Sequence, residues 1–162
     1  MRRARVAGFG FLLWFAVTAV PAHAAAAHLV IAEVQVGGAA ARDEFVEIYN
    51  PTAAAISLEG WRLSKRTGTG AREENLVTTF AAVTVPAHGS VLVAPSDSVF
   101  ATQADVAYTT QSSLSADNTV VLYGPASGET RSVVDLVGFG TVVHREGTDA
   151  PNPSSGQSIE RK

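Results

Sequence analysis

The sequence contains no cysteine among its 162 residues. The protein therefore has neither a disulfide bond nor a thiolate metal ligand, and a folded domain has to be stabilised by packing and hydrogen bonds alone. Charged residues are also scarce, at 17% of the chain, and aromatic residues make up only 7%. No segment shows a strong amphipathic helical pattern, and there is no strand–helix alternation that would indicate a parallel α/β sheet.

The motifs of common hydrolytic sites are missing as well. The sequence contains neither the G-x-S-x-G turn of serine hydrolases nor the H-E-x-x-H pair of zinc peptidases. We therefore predict no catalytic residues and no cofactor. Intrinsic hydrolase activity is kept as the last of three functional hypotheses. Serine, histidine and aspartate are all present, and a catalytic triad is defined by geometry rather than by sequence spacing.

Residues 1–24 have the layout of a secretory signal peptide. Three arginines lie among the first five residues, Val6–Val20 is a mostly apolar run, and Pro21–Ala24 supplies a helix breaker and an A-x-A cleavage site. The apolar run is shorter than the ~20 residues of a spanning helix. We therefore predict cleavage after Ala24 and an exported protein without a permanent membrane span, located in the periplasm, at the cell surface or in the extracellular medium.

Residues 25–162 then form one predicted domain. The whole chain has 12 Lys and Arg against 15 Asp and Glu, so loss of the three N-terminal arginines moves its formal net charge from −3 to −6. An acidic domain is a poor non-specific partner for DNA or anionic lipid, because such binding depends on neutralising phosphates. The chain stops on strand-like sequence at Arg161 and Lys162, and we expect the domain to be truncated at this end.

The stretch Asp43–Ser64 predicts the fold most clearly. Val46 and Ile48 fall on one face of a strand that ends at the Asn50–Pro51 turn, because proline offers no ladder donor. A Glu-Gly turn follows, and we interpret Trp61 beyond it as a core residue rather than a ligand-stacking one. Further short strands, separated by turn signals, are predicted at 28–36, 90–94, 119–123 and 131–139. Residues 76–80 and 82–85 are short apolar runs, and the tail from 142 is loop-like until 157–160.

Two segments are predicted to be irregular or helical. Lys65–Glu74 is polar and contains glycine, so we interpret it as a mobile hairpin tip or loop. A short helix is considered for Val99–Ala107, although its helix propensities are weak. Seven or so short strands without a strong helix indicate a β-sandwich.

Six segments occur in a characteristic order, and together they carry a resemblance. They are LVIAEV at 29–34, DEFVEIYNP at 43–51, SLEGWRLS at 57–64, SLSADNTVVLY at 113–123, VVDLVGFG at 133–140 and GQSIER at 156–161. The chain resembles the lamin-tail domain family in its bacterial secreted type, over nearly all of Leu29–Arg161. The resemblance implies an all-β, immunoglobulin-like antiparallel sandwich.

The resemblance also implies a function without catalysis. In nuclear lamins this domain contacts proteins and chromatin, and bacterial members stand beside secreted nucleases or phosphoesterases as accessory units. The first hypothesis is therefore a non-catalytic extracellular interaction module for a protein or cell-envelope partner. The alternative is a nucleic-acid-binding accessory domain of a secreted nuclease or phosphoesterase system.

One basic and one acidic set are candidate sites. Arg62, Lys65, Arg66 and Arg72 lie within 11 residues without an intervening acid, which suits phosphate contacts, although the same run also suits a solvated hairpin tip. Glu33, Asp43, Glu44 and Glu47 are weak candidates for calcium binding. No D-x-D-x-D-G loop accompanies these carboxylates, so we predict internal pairing for them and no metal site.

Overall fold

The computed structural model describes residues 26–161, and the predicted signal peptide at residues 1–24 lies outside them. The described chain is all-β and forms eleven strands. They are β1 (Val30–Gln35), β2 (Phe45–Tyr49), β3 (Ile56–Ser57), β4 (Arg62–Thr67), β5 (Glu73–Val77), β6 (Thr84–Val85), β7 (Ser90–Pro95), β8 (Val106–Tyr108), β9 (Asn118–Tyr123), β10 (Val133–Phe139) and β11 (Ser158–Glu160).

Two larger sheets form the layers of the sandwich. One has the strand order β11-β1-β2-β7-β8 and the other β10-β9-β4-β5, while β3 and β6 pair separately. All neighbouring strands are antiparallel except β7 and β8, which are parallel. The core between the sheets is mostly aliphatic and also contains the buried aromatic residues Phe80, Tyr108 and Phe139. The predicted antiparallel β-sandwich is therefore confirmed.

Alternation along β2 divides its side chains between the core and the outer face, as predicted. Val46 and Ile48 are buried, while Phe45 and Tyr49 are partly exposed on the opposite face. Phe45 is covered there by Phe100, whose ring packs edge-on at a centroid distance of 5.0 Å. This pattern follows from the two-residue period of a strand, which sends successive side chains to opposite faces.

The corner after β2 is held by Asn50, whose side chain is fully buried. Its amide nitrogen donates to the carbonyl oxygens of Ala54 at 2.8 Å and Val85 at 3.2 Å. Its amide oxygen accepts the backbone N–H of Thr52 at 3.0 Å. Asn50 thus satisfies backbone groups of the corner that would otherwise be buried without partners.

A second corner, which contains Gly140, lies just after β10. Gly140 has a positive φ of 73°. A Cβ at this position would collide with the side chains of Asp117 and Asn152. Asp117 accepts the backbone N–H of Thr141 at 2.7 Å, so the end of β10 is joined to the turn that precedes β9. Only glycine combines this backbone conformation with such close packing.

The hairpin tip predicted over Lys65–Glu74 is present but is confined to residues 68–72. β4 continues to Thr67 and β5 begins at Glu73, with Lys65 opposite Glu74 and Arg66 opposite Glu73 in the ladder. Oppositely charged cross-strand pairs stabilise a hairpin, which explains why a polar segment extends the sheet here. The turn that joins the two strands is correspondingly shorter than predicted.

The helix considered for Val99–Ala107 is not formed. Turns cover the first part of this segment, and β8 begins at Val106 beside β7. Tertiary pairing therefore overrides the weak helix propensity of the segment. Nowhere in residues 26–161 does the chain form a helix of the length and apolar character needed to cross a bilayer.

Replacing Asn50 by alanine tests the importance of the corner after β2. Asn50→Ala leaves the carbonyl oxygen of Val85 and the N–H of Thr52 without their side-chain partners, so we expect a loss of about 1–3 kcal/mol in the free energy of unfolding. Urea denaturation measures it. Asn75→Ala is the matched control, because Asn75 lies in β5 and makes no side-chain hydrogen bond within the described chain. Equal stability of the two variants would contradict the role given to Asn50.

Candidate functional site

The four basic candidates do not form one surface. Arg62 and Arg66 are four residues apart on β4 and share the outer face of the sheet, whereas Lys65 points to the opposite face. Its ammonium donates to the carbonyl oxygen of Ser113 at 2.5 Å. Arg72 lies before β5, and its side chain is 75% exposed. The strand alternation thus separates residues that are neighbours in sequence.

Two carboxylates pair with all four cations. Glu73 accepts from Arg62 at 3.1 Å and Arg66 at 2.9 Å, and Glu74 contacts Lys65 at 3.3 Å and Arg72 at 2.9 Å. Burial alone would raise the pKa of Glu73, but hydrogen bonds from Ser64 and Arg66 outweigh it and hold this pKa below its usual value. The positive charge available to a ligand is therefore smaller than the sequence suggests.

Tyr123 of β9 completes this arrangement, which we call the Arg–Tyr–Glu cluster (Arg62, Arg66, Glu73 and Tyr123). The guanidinium of Arg62 lies over the Tyr123 ring at 4.0 Å from its centroid. Arg66 donates to the Tyr123 hydroxyl oxygen at 2.6 Å. Cation–π stacking and hydrogen bonding both fix the guanidinium groups against the sheet, so the cluster resembles a packed structural network more than an open phosphate site.

Glu44, one of the weak metal candidates, is a buried structural carboxylate. It accepts hydrogen bonds from the Tyr108 hydroxyl at 2.8 Å, the Ser113 hydroxyl at 2.8 Å and the Leu114 backbone N–H at 2.7 Å. Burial raises its pKa despite these three donors. The carboxylate oxygens thus serve to hold the segment around residues 108–114 against the start of β2.

Arg42, which was not a candidate site residue, contacts the same segment as Glu44. Its guanidinium donates to Asp97 at 2.7 Å and to the carbonyl oxygens of Thr110 and Ser112. Asp43, beside it, accepts the backbone N–H of Ala40 at 2.8 Å through its own side chain. The partners of Arg42 lie 55 to 70 residues away in the sequence. The one sequence signal for Arg42 was therefore its position immediately before the D-E-F segment.

The other two acidic candidates lie on a different surface. Glu33 of β1 is opposite Glu47 of β2 on one side and opposite Glu160 of β11 on the other. These three carboxylates form a row, which we call the acidic row. Glu33 also accepts a hydrogen bond from the Ser158 hydroxyl. Within residues 26–161, no three acidic or histidine side chains have a geometry that could hold a metal ion.

A groove of about 760 Å³ adjoins the acidic row, between the β1–β11 edge of one sheet and β10 of the other. Its floor is apolar and includes Ile31, Val34, Val137 and Ile159. Four charged residues, Glu33, Glu146, Glu160 and Arg161, also line it, with Glu33 and Glu160 on its outer rim. We call it the edge groove. The groove cannot be read from local sequence patterns, because it is formed by strands that are about 100 residues apart.

Asp135 of β10 ties the two sheets together beside the edge groove. It is buried, and its carboxylate accepts the backbone N–H of Ile31 at 2.6 Å, next to a bulge in β1. Arg161 pairs with the other carboxylate oxygen at 3.1 Å. Burial raises the pKa of Asp135, while the Ile31 hydrogen bond and the charge of Arg161 act against this rise.

Two packed, largely antiparallel sheets form an immunoglobulin-like sandwich. The chain belongs to the Lamin Tail Domain family, whose model matches residues 22–141. The family consists of non-enzymatic immunoglobulin-like domains, and the match confirms the resemblance seen in the sequence. No curated protein matches the chain. The matched range includes Asp135 but ends before β11 and the 146–150 wall of the edge groove.

The pH dependence of folding tests the burial of Glu44. Because burial raises the pKa of Glu44 in the folded state, the stabilisation from its protonation is fully present below the ordinary glutamate pKa of 4.5 and is lost as pH rises through the folded-state pKa. We therefore expect the difference in unfolding free energy between the wild type and Glu44→Gln to be most favourable to the wild type below pH 4.5, and to shrink as pH rises.

Chemical denaturation across the acid to neutral range measures this difference. Glu59→Gln is the control, because Glu59 is exposed in a turn. If the difference in unfolding free energy between the wild type and E44Q does not change with pH, Glu44 is not responsible for the pH dependence of folding. The same conclusion follows if the difference between the wild type and E59Q changes equally with pH.

Proposed function

We propose that the protein is a non-catalytic extracellular interaction module that binds a protein or cell-envelope partner. Membership in a family of non-enzymatic immunoglobulin-like domains carries this proposal. The basic, apolar and A-x-A segments at the N-terminus support export of the domain. Its partner-binding surface is expected on the strand edges or loops rather than in a polar cleft.

The internal use of the polar side chains supports a binding rather than a catalytic role. Glu44, Asp43 and Asp135 are buried and accept backbone N–H groups, so their carboxylates stabilise loops and strand ends. Such fully hydrogen-bonded carboxylates are poorly placed to transfer protons to a substrate. The edge strands, in contrast, keep backbone groups on one side that a partner strand can use.

Affinity capture tests the proposal. The purified mature domain is immobilised and exposed to envelope and secreted fractions of the source organism, and each enriched protein or glycan is purified and its affinity measured directly. We expect at least one saturable partner with a dissociation constant in the micromolar range or tighter, as for specific protein interfaces. A heat-unfolded sample is the control. Absence of any saturable partner, or substrate turnover that co-purifies with the folded domain, would contradict the proposal.

The nucleic-acid alternative has one observation in its favour. Arg62 and Arg66 lie on the same outer sheet face beside an aromatic ring, which is an arrangement that can contact a phosphate backbone. Glu73 lies between the two guanidinium groups and repels phosphate. This alternative therefore requires the carboxylate to be displaced or neutralised.

Removing the two paired carboxylates tests this alternative. If the face binds phosphates, Glu73→Gln with Glu74→Gln should raise the affinity for a fluorescent single-stranded DNA by roughly tenfold at about 50 mM salt, and the gain should fall steeply as salt rises. Fluorescence anisotropy measures it. Glu59→Gln with Glu129→Gln changes net charge equally at exposed turn positions and is the control. An equal effect of both pairs, or no gain in either, rules out this face as a specific nucleic-acid surface.

A further inference from the structure

We propose that the edge groove binds an extended peptide strand that carries lysine or arginine side chains, and that this strand adds to the free edge of β10. The inference rests on the proposed interaction function and assigns it a site and a class of partner. Its support comes from three independent features of the described chain: an unpaired strand edge, an apolar floor and an excess of carboxylates along the groove and its rim.

The first feature is the edge of β10. β5, β8, β10 and β11 are the outermost strands of the two larger sheets. β10 has seven residues and is the longest of these, whereas β8 and β11 have three each. Long unpaired edges attract additional strands, because their N–H and C=O groups otherwise bond only to water. β10 is therefore the edge best suited to strand addition in the described part of the chain.

The chain already uses a small part of this edge. Ala150 forms a one-residue parallel bridge with Phe139. Ala150 accepts the N–H of Gly140 at 2.8 Å and donates to the carbonyl oxygen of Gly138 at 3.1 Å. The geometry of the edge thus accepts a parallel strand at its C-terminal end. Within residues 26–161, the five residues 133–137 have no strand partner on this side, over a length of roughly 16 Å.

One side chain stands partly in the way. The Arg161 guanidinium contacts the carbonyl oxygen of Leu136 at 3.4 Å, which is long for a hydrogen bond. A backbone N–H from an incoming strand can replace this contact, while Arg161 keeps its shorter pair with Asp135 at 3.1 Å. Strand addition therefore costs little of the existing network.

The second feature is the floor of the groove. Ile31 and Val34 are almost completely buried, and Val137 and Ile159 pack against the same core from partly exposed positions. An added strand points alternate side chains to opposite faces, so every second residue would lie on this floor. Aliphatic side chains at those positions would remove apolar surface from water and supply affinity.

The third feature is charge. Glu33, Glu146 and Glu160 line the groove together with one cation, Arg161. Strand alternation turns the carboxylates of Glu33 and Glu160 away from the apolar floor, so they lie along the outer rim of the groove. Arg161 is itself committed to Asp135 and Glu146. Glu33 and Glu160 form no ion pair with any residue in 26–161, and they face each other across adjacent strands. Like charges in such positions repel, so cationic side chains of a partner would relieve an existing cost.

A designed peptide tests the site and its charge preference. The probe is a capped, fluorescein-labelled heptapeptide of alternating valine and lysine, and its counterpart alternates valine and glutamate. We expect the lysine peptide to bind the wild-type domain with an affinity that falls as salt increases, and the glutamate peptide to bind at least tenfold more weakly. Fluorescence anisotropy gives both affinities. Equal binding of the two peptides would overturn the proposal.

Charge reversal locates the binding surface. Glu33→Lys with Glu160→Lys should weaken binding of the lysine peptide at least tenfold. Glu59→Lys with Glu129→Lys makes the same change in net charge at exposed turns and should retain affinity within about twofold, because screening limits distant charges. Circular dichroism confirms that each variant is folded. Retained affinity in the Glu33/Glu160 variant would show that the edge groove is not the site.

Amide NMR shifts identify the strand that receives the peptide. Titration of labelled wild-type protein should shift the amide signals of β10 and β11 and leave those of β5 and β8 unchanged. Shifts confined to β5 or β8 would assign binding to another edge. Concentration-dependent shifts at β10 without any peptide would instead identify a second copy of this chain as the occupant, and would overturn the proposed partner class.

The outcome separates this inference from the proposed function. If the lysine peptide fails to bind but a captured partner binds equally to the wild type and the Glu33/Glu160 variant, the edge groove is not the site and the interaction function stands. If neither a peptide nor a captured partner binds, both proposals fail.

Discussion

The buried carboxylate of Glu44 is the interaction on which the least regular part of the fold depends. The chain between β7 and β9 crosses the end of the sandwich largely as turns, with only the three residues of β8 in a strand. Such a segment has few ladder hydrogen bonds of its own. Glu44 gathers a tyrosine hydroxyl, a serine hydroxyl and a backbone N–H of this segment at one point. Because a buried charge without partners is very costly, the segment and the carboxylate require one another.

The absence of cysteine makes such polar anchors more important. A disulfide would reduce the entropy of the unfolded chain, whereas this domain has to hold its long connections through native-state contacts alone. Asn50, Glu44 and Asp135 each hold a different connection: the corner after β2, the crossing segment and the contact between the two sheets. Their side chains are therefore committed to architecture, and the proposed recognition of a partner falls to the edges and outer faces of the sheets.

The sequence predicted the parts of the fold that depend on local patterns. Alternation identified Val46 and Ile48 as core residues, and the order of motifs indicated the family. The length of the β4 and β5 strands was underestimated, because they are stabilised by ion pairs such as Arg66 with Glu73, whose register cannot be read from a polar segment. Propensity also failed at Val99–Ala107, where pairing with β7 decided the conformation.

The candidate sites illustrate the same difference between local and long-range information. Strand parity alone places Lys65 opposite to Arg62 and Arg66, so the division of the basic set was readable once β4 was recognised. The pairing of Asp135 with Ile31 was not, because 104 residues separate them. The edge groove arises from such distant contacts. The sequence shows the individual residues of the groove but does not show that they lie close together.

The tight packing at Gly140 has a practical consequence for protein engineering. Position 140 joins the end of β10, the turn at Asp117 and the segment at Asn152, and even a methyl group there would collide with both side chains. A label or tag placed near this junction would separate three chain segments at once. Gly128, in the connection between β9 and β10, has no neighbouring atom within 4 Å of an added Cβ. The connection that contains Gly128 is thus the better attachment point for a reporter group, with care for its positive φ of 64°.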